Sequence, residues 1–201
     1  ASYLTLLGAQ AGRWAGSAAG LTAVGTWAGS AGPSYSTAVG QSALATAASD
    51  GNTAVGFAAA AGATGAWNTV VGANAGAHLT AGTSNVLVGV NGGLGLTTGS
   101  ANTAIGRDAG PSGSALAYTT AVGAFATPDV SHQIRLGTAA EHTVALGGLA
   151  LGASVDPGAG RLHFANSSTP ATPTGGGRLF VDGGALKYVG SSGTVTTLAP
   201  A

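Results

Sequence analysis

Charge is nearly missing from this chain. Only 6% of its 201 residues are Asp, Glu, Lys or Arg, six of each sign, and the formal net charge is zero. A surface of this kind has no cationic stripe for a phosphate backbone, which excludes nucleic acid as an expected partner. Cysteine is absent, and with it disulfides, thiolate metal sites and thiol redox chemistry. No apolar run approaches the ~18 residues of a membrane helix, so membrane insertion is not expected. The opening Ala1-Ser2-Tyr3-Leu4 shows no basic region followed by an apolar stretch, the mark of a secretory leader. Large core side chains are scarce too. About half of the 45% hydrophobic fraction is Ala, and Leu, Ile, Val and Phe together fall just under the ~20% level at which disorder is suspected. Disorder also needs high net charge. A thin core without that charge points instead to repetition or oligomerisation.

What is present is a repeat. Words of the NTAVG type end at Gly8, Gly25, Gly40, Gly56, Gly72, Gly89, Gly106 and Gly123, at spacings of 17, 15, 16, 16, 17, 17 and 17 residues. A degenerate IRLG ends at Gly137 and VALG at Gly147. In each unit the β-branched run, such as Asn68-Thr69-Val70-Val71-Gly72, predicts a short strand. Ala73-Asn74-Ala75-Gly76 predicts a turn, and His78-Leu79-Thr80 a second short strand before another turn. One period is therefore expected to hold two strands and two corners. Helices are excluded by recurrent Gly and by the lack of a 3.6-residue apolar stripe.

Side chains alternate across a strand. One face carries Leu7, Val24, Val39, Val55, Val71, Val88, Ile105 and Val122, with Thr22, Thr37, Thr53, Thr69, Thr103 and Thr120 two residues earlier. The other carries Ala23, Ala38, Ala54, Ala104 and Ala121, with Asn52, Asn68, Asn85 and Asn102 two residues before the strand's middle. The expectation is that the Val/Thr face is the core of the chain, and that the flat Ala/Asn face packs closely against sister chains. On that assignment Ala54→Leu or Ala104→Leu blocks assembly. A β-roll within each chain and an interwoven triangular prism both fit.

The composition shifts from Asp129 onward: eight of the twelve charged residues lie in 129–201. The expected division is a β-repeat shaft over 1–128, a transition with terminal repeats over 129–166, a Ser/Thr/Pro/Gly linker over 167–177 and a small β-meander over 178–201. In the meander, Arg178 to Asp182, Ala185 to Val189 and Thr194 to Leu198 are the strands, and Gly183-Gly184 is a two-residue hairpin turn.

These residues resemble a known family. The NTAVG/NTAIG-x-x-AG units are similar to repeats of bacteriophage fibre proteins and, more loosely, to the β-roll heads of trimeric autotransporter adhesins. His132-Gln133-Ile134-Arg135-Leu136-Gly137 resembles the closing word of such phage arrays, with His132 and Gln133 replacing an Asn-Thr pair. The tail from Gly184-Ala185-Leu186-Lys187-Tyr188 to Gly190-Ser191-Ser192-Gly193-Thr194-Val195-Thr196-Thr197 closely resembles a C-terminal module of phage tail and head fibres. The resemblance implies a homotrimeric, all-β virion protein at the phage surface. Its expected role is a tail fibre or spike that attaches to the host. A capsid head fibre or decoration protein is one alternative, and a bacterial trimeric surface adhesin another. Implied partners are its own copies, other virion structural proteins and a host surface glycan or protein. No anchoring domain precedes the first repeat and no self-cleaving chaperone domain is recognisable, so a processed fragment or a short fibre is expected.

A search for chemistry finds none. Asp50, Asp108, Asp129, Glu141, Asp156 and Asp182 are scattered, without the paired spacing of a glycosidase, and no enzyme activity, cofactor or metal is expected. His78, His132, His142 and His163 are too far apart for a local metal motif. One His could form a three-fold ring in a trimer, but a solvated His is the simpler reading. Trp14, Trp27, Trp67, Tyr35, Phe57 and Phe125 lie near repeat corners. They are read first as plugs for a core short of large residues. The second reading, for Trp14, Trp27, Trp67 and Tyr35, is as surface contacts for sugars or a partner. Ice binding uses two exposed Thr columns, whereas one is present here, sharing its face with Val.

Overall fold

The computed structural model describes residues 3–16, 18–46, 49–138, 177–190 and 192–199. The VALG word at Gly147, the linker up to residue 176, and Glu141, His142, Asp156 and His163 lie outside the described residues. The chain divides into two units, Ala1–Val144 and Ala145–Ala201, each taken by itself below.

The first unit is a β-solenoid formed by one chain, which decides between the two organisations left open by the sequence. Nine short strands follow one another in a single parallel sheet: β1 (Leu4–Leu7), β2 (Leu21–Val24), β3 (Thr37–Val39), β4 (Thr53–Val55), β5 (Thr69–Val71), β6 (Val86–Val88), β7 (Thr103–Ile105), β8 (Thr120–Val122) and β9 (Ile134–Leu136). The IRLG word is thus the ninth rung. Register is in phase throughout: Thr37 pairs with Thr53, Val39 with Val55 and Thr103 with Thr120, while Val86 and Ile134 take the Thr position in β6 and β9.

Each coil has one strand, not two. His78-Leu79-Thr80 and its counterparts are turns. The second residue after each strand-ending glycine is left-handed in all eight coils, at Gln10, Trp27, Ser42, Ala58, Asn74, Asn91, Asp108 and Phe125. Backbone groups here pair between coils rather than within a strand. Asn74 N donates back to Phe57 O at 2.8 Å, and Gly76 N donates forward to Gly92 O at 2.8 Å. Turns can line a solenoid wall because these ladders satisfy the backbone as a sheet would.

The strand-ending glycines are imposed twice over. Their φ runs from 113° at Gly123 to 139° at Gly106, a region closed to L side chains. They also stack directly: a Cβ on Gly40 would stand 2.5 Å from the Gly56 carbonyl oxygen, and one on Gly8 2.7 Å from the Gly25 carbonyl carbon.

The two strand faces are the reverse of the expected assignment. Ala23, Ala38, Ala54, Ala104 and Ala121 are fully buried inside the coil, whereas Val55, Val71, Ile105 and Val122 are exposed. The physical reason is the narrowness of the coil: its walls approach too closely for two layers of bulky side chains. Of the twenty-one residues in the core cluster, fifteen are Ala, five Leu and one Val. A larger residue enters only opposite a small one. Val70 is inside with Gly76 across from it, and Leu87 with Gly93. Ala54→Leu would therefore overfill the chain's own core, not a contact between chains.

The second unit holds a three-stranded antiparallel meander, β10 (Gly177–Asp182), β11 (Ala185–Gly190) and β12 (Val195–Ala199). Gly183 and Gly184 take positive φ at the first turn, as a tight hairpin requires. Lys187 Nζ meets Asp182 Oδ2 at 2.8 Å.

Candidate interaction surfaces of the solenoid

The buried wall of the sheet is held by an asparagine ladder. Ser36 Oγ accepts from Asn52 N at 3.1 Å. Asn52 Oδ1 accepts from Asn68 N at 2.9 Å and from Asn68 Nδ2 at 3.1 Å. The pattern repeats from Asn68 to Asn85 and from Asn85 to Asn102, and Thr119 ends it with Oγ1 donating to Asn102 Oδ1 at 2.7 Å. Each Nδ2 of Asn52, Asn68, Asn85 and Asn102 also donates to a turn carbonyl: Gly65, Gly82, Gly99 or Leu116. No buried side-chain polar atom among the described residues is left without a partner. These asparagines fix the register of the coils and touch nothing outside.

The outer wall of the sheet is the first candidate surface. Its columns are Leu7, Val24, Val39, Val55, Val71, Val88, Ile105, Val122 and Leu136, and beside them Thr5, Thr22, Thr37, Thr53, Thr69, Val86, Thr103, Thr120 and Ile134. None is charged. Eight inter-strand steps of about 4.8 Å make the face about 38 Å long. An uncharged Val/Thr strip of this length, exposed at Val55, Val71, Ile105 and Val122, is the kind of patch that marks an interaction site.

The aromatic side chains do not plug the core. Trp14 and Trp67 are each 68% exposed, Tyr35 70% and Trp27 41%. With Ala and Gly already filling the coil, no space inside admits them. Trp67 instead lies over Gly51 of the preceding coil, where a Cβ would stand 2.5 Å from the indole, and Tyr35 lies over Gly20. Tyr118 stacks on His132 with ring centroids 4.9 Å apart.

Trp14 and Trp27 come together with a residue that the sequence reading did not single out. Arg13 Cζ lies 4.9 Å from the Trp14 ring centroid and 5.7 Å from that of Trp27, and its Nη1 donates to Gln10 Oε1 at 2.7 Å. The signal was available: Arg13 is the sole Arg or Lys before Arg107 and is adjacent to a Trp. Beside this group is a cleft of about 470 Å³ lined by Trp14, Trp27, Ser30, Ser42, Ala45 and Thr46.

Among the described residues no group of three or more His, Asp or Glu could hold a metal ion, and His78 Nδ1 is 3.0 Å from the Leu94 carbonyl oxygen. No helix among the described residues is long and apolar enough to cross a membrane. No protein-family model, no curated protein and no solved structure matches this chain.

Proposed function

We propose that this chain is a non-enzymatic structural component of a bacteriophage virion: a homotrimeric tail fibre or spike that projects from the particle and contacts the host surface. The observation that carries the assembly half of this reading is the uncharged Thr/Val wall of β1–β9, which runs the length of the sheet and is exposed or half-exposed at every rung. Sister chains cover that wall, not the alanine columns. Burying such a face stabilises by about 25 cal/mol for each Å² of apolar area removed from water, and identical rungs allow the copies to meet in register. The virion half rests on the likeness of the NTAVG-type words and of the β10–β12 segment to phage fibres. Its partners are its own copies, other virion structural proteins and a glycan or protein of the host surface. Recognition is adhesive, with weak contacts multiplied by the number of chains.

Sedimentation equilibrium of the intact chain tests the assembly, with a species of three 18.7 kDa chains expected. A stable monomer at micromolar concentration would overturn it. Labelled antibody in electron micrographs of the particle tests the location. Label at the tail supports the fibre, whereas label over the capsid faces replaces it with a head-fibre or decoration role.

A further inference from the structure

Two features of the Trp14–Trp27 cleft are not required by the coil. Its two indoles are exposed although the coil needs no large residue there: the positions equivalent to Trp14 in the next coils are Ala31, Thr46 and Gly62. Trp27 takes the left-handed φ of 62° that every coil imposes at this position, where Phe125 is the other aromatic residue. Finally, in the 106 residues before Arg107 the chain has two charged side chains, Arg13 and Asp50. One of them stands over both indoles.

We infer that this cleft binds a pyranose glycan bearing a carboxylate, such as a uronic acid unit. Indole faces are the surfaces on which the C–H faces of a sugar ring stack, and two of them border one cleft. Ser42 adds a hydroxyl-bearing residue to its wall, and Ser30 and Thr46, whose hydroxyls donate to the Ala45 and Ala61 carbonyls, can there only accept. Beside the cleft, the Arg13 guanidinium gives one N–H to Gln10 Oε1 and keeps other planar N–H donors for a carboxylate. Arg13 is the side chain that gives this site a sign, so the ligand is acidic rather than neutral. The cleft uses the second, fifth and sixth positions after the strand-ending glycine, and the Thr/Val wall uses neither these nor Arg13. Both surfaces can therefore work in one molecule.

That the ligand belongs to a host surface rests on the attachment reading above; the cleft itself does not. The test titrates the intact chain with galacturonate hexamers and hyaluronan hexamers, and in parallel with neutral maltohexaose, following indole fluorescence. Saturable binding of at least one acidic oligosaccharide is expected, at least tenfold tighter than maltohexaose. Trp14→Ala and Trp27→Ala should each weaken it at least tenfold, Arg13→Gln should abolish the preference for acid, and Trp67→Ala should leave it unchanged. All four side chains are exposed, so circular dichroism of each variant should match that of the parent chain. No binding of either acidic hexamer, equal binding of maltohexaose, or indifference to Trp27→Ala would overturn the inference. Sedimentation of the same samples separates the two readings. A trimer that ignores both acidic hexamers ends this inference and leaves assembly standing, and a monomer that binds them does the reverse.

Discussion

Leu87 and Gly93 share one slot of the solenoid core. Leu87 is fully buried, and a Cβ placed on Gly93 would stand 2.6 Å from its Cδ2. Buried Leu79 and Leu96 likewise face Gly82 and Gly99, where a Cβ would stand 2.8 Å from a leucine Cδ. In a coil this narrow, a leucine on one wall is possible only because the facing residue has no side chain. Gly93→Ala should destabilise by about 2–4 kcal/mol, from overpacking and from its left-handed φ of 67°. Leu87→Ala should cost a similar amount through the cavity it leaves. The double variant should lose less than the sum, by about 1 kcal/mol or more, because each change makes room for or fills the other. Urea denaturation of the four proteins measures this. Strict additivity would mean that the two residues do not share a slot.

The two strand faces should respond to substitution in opposite ways. Ala54 is fully buried and Val71 37% exposed. Ala54→Leu adds carbons where the coil has no space, so it should lower the melting temperature of the chain itself and reduce strand signal in the far ultraviolet. Val71→Lys should leave that signal intact, since exposed substitutions change stability by about 0.5 kcal/mol or less. Its effect should appear in sedimentation, where a buried charge in each copy would drive the assembly to single chains. Intact assembly in Val71→Lys would remove the Thr/Val wall from any interface.

The asparagine ladder should be more sensitive than its size suggests. Asn85 donates to Asn68 Oδ1 and to Gly99 O, and accepts from the backbone and side-chain nitrogens of Asn102, all at 3.0–3.1 Å. Asn85→Ala strands buried partners on both sides, each worth about 1–3 kcal/mol, so a loss of about 3–5 kcal/mol is expected. Asn85→Thr should lose about half as much, because a hydroxyl can donate to Asn68 as Thr119 does to Asn102. Chemical denaturation checks the order, and an Asn85→Ala variant within 1 kcal/mol of the parent would show that water replaces the ladder.

The period of this fold is legible because its glycines answer to a rigid requirement. Gly40, Gly56 and Gly72 each need an open φ and contact the next coil's backbone, so no other residue can stand in. The strands are legible for a similar reason, since Thr-Ala-Val recurs at one phase of the period. Which face points inward is not legible from hydrophobicity. Bulk usually marks a core, but here the distance between the walls decides, and no single repeat states that distance. The signal was in pairs of positions six residues apart, none large at both: Val70 with Gly76, Leu87 with Gly93 and, in the reverse sense, Ala38 with Leu44. His78-Leu79-Thr80 misleads because a short apolar segment fits a strand and a turn equally, and left-handed Asn74 and Asn91 are what convert that wall to turns. Arg13 was hidden by its isolation, as one cation makes no motif until the coil brings Trp27 beside Trp14.

Because each coil contacts only its neighbours, the solenoid should tolerate loss of a whole coil and reject loss of half. Removing residues 73–89 joins Gly72 to Val90. The join keeps an Asn at the left-handed second position, now Asn91 for Asn74, and sets Gly93 across from Val70 where Gly76 stood. Asn68 then meets Asn102 directly, in the phase that Asn85 provided. Stability should fall by the share of one coil, and the urea dependence should shallow as less surface is exposed on unfolding. Removing residues 73–80 instead brings Ala81 after Gly72, shifts every column by half a period and places Asn85 in a corner. That variant should lose its cooperative transition. Circular dichroism and urea titration of the two deletions distinguish the cases; equal unfolding of both would show that the coils are not interchangeable units and that the array folds only as a whole.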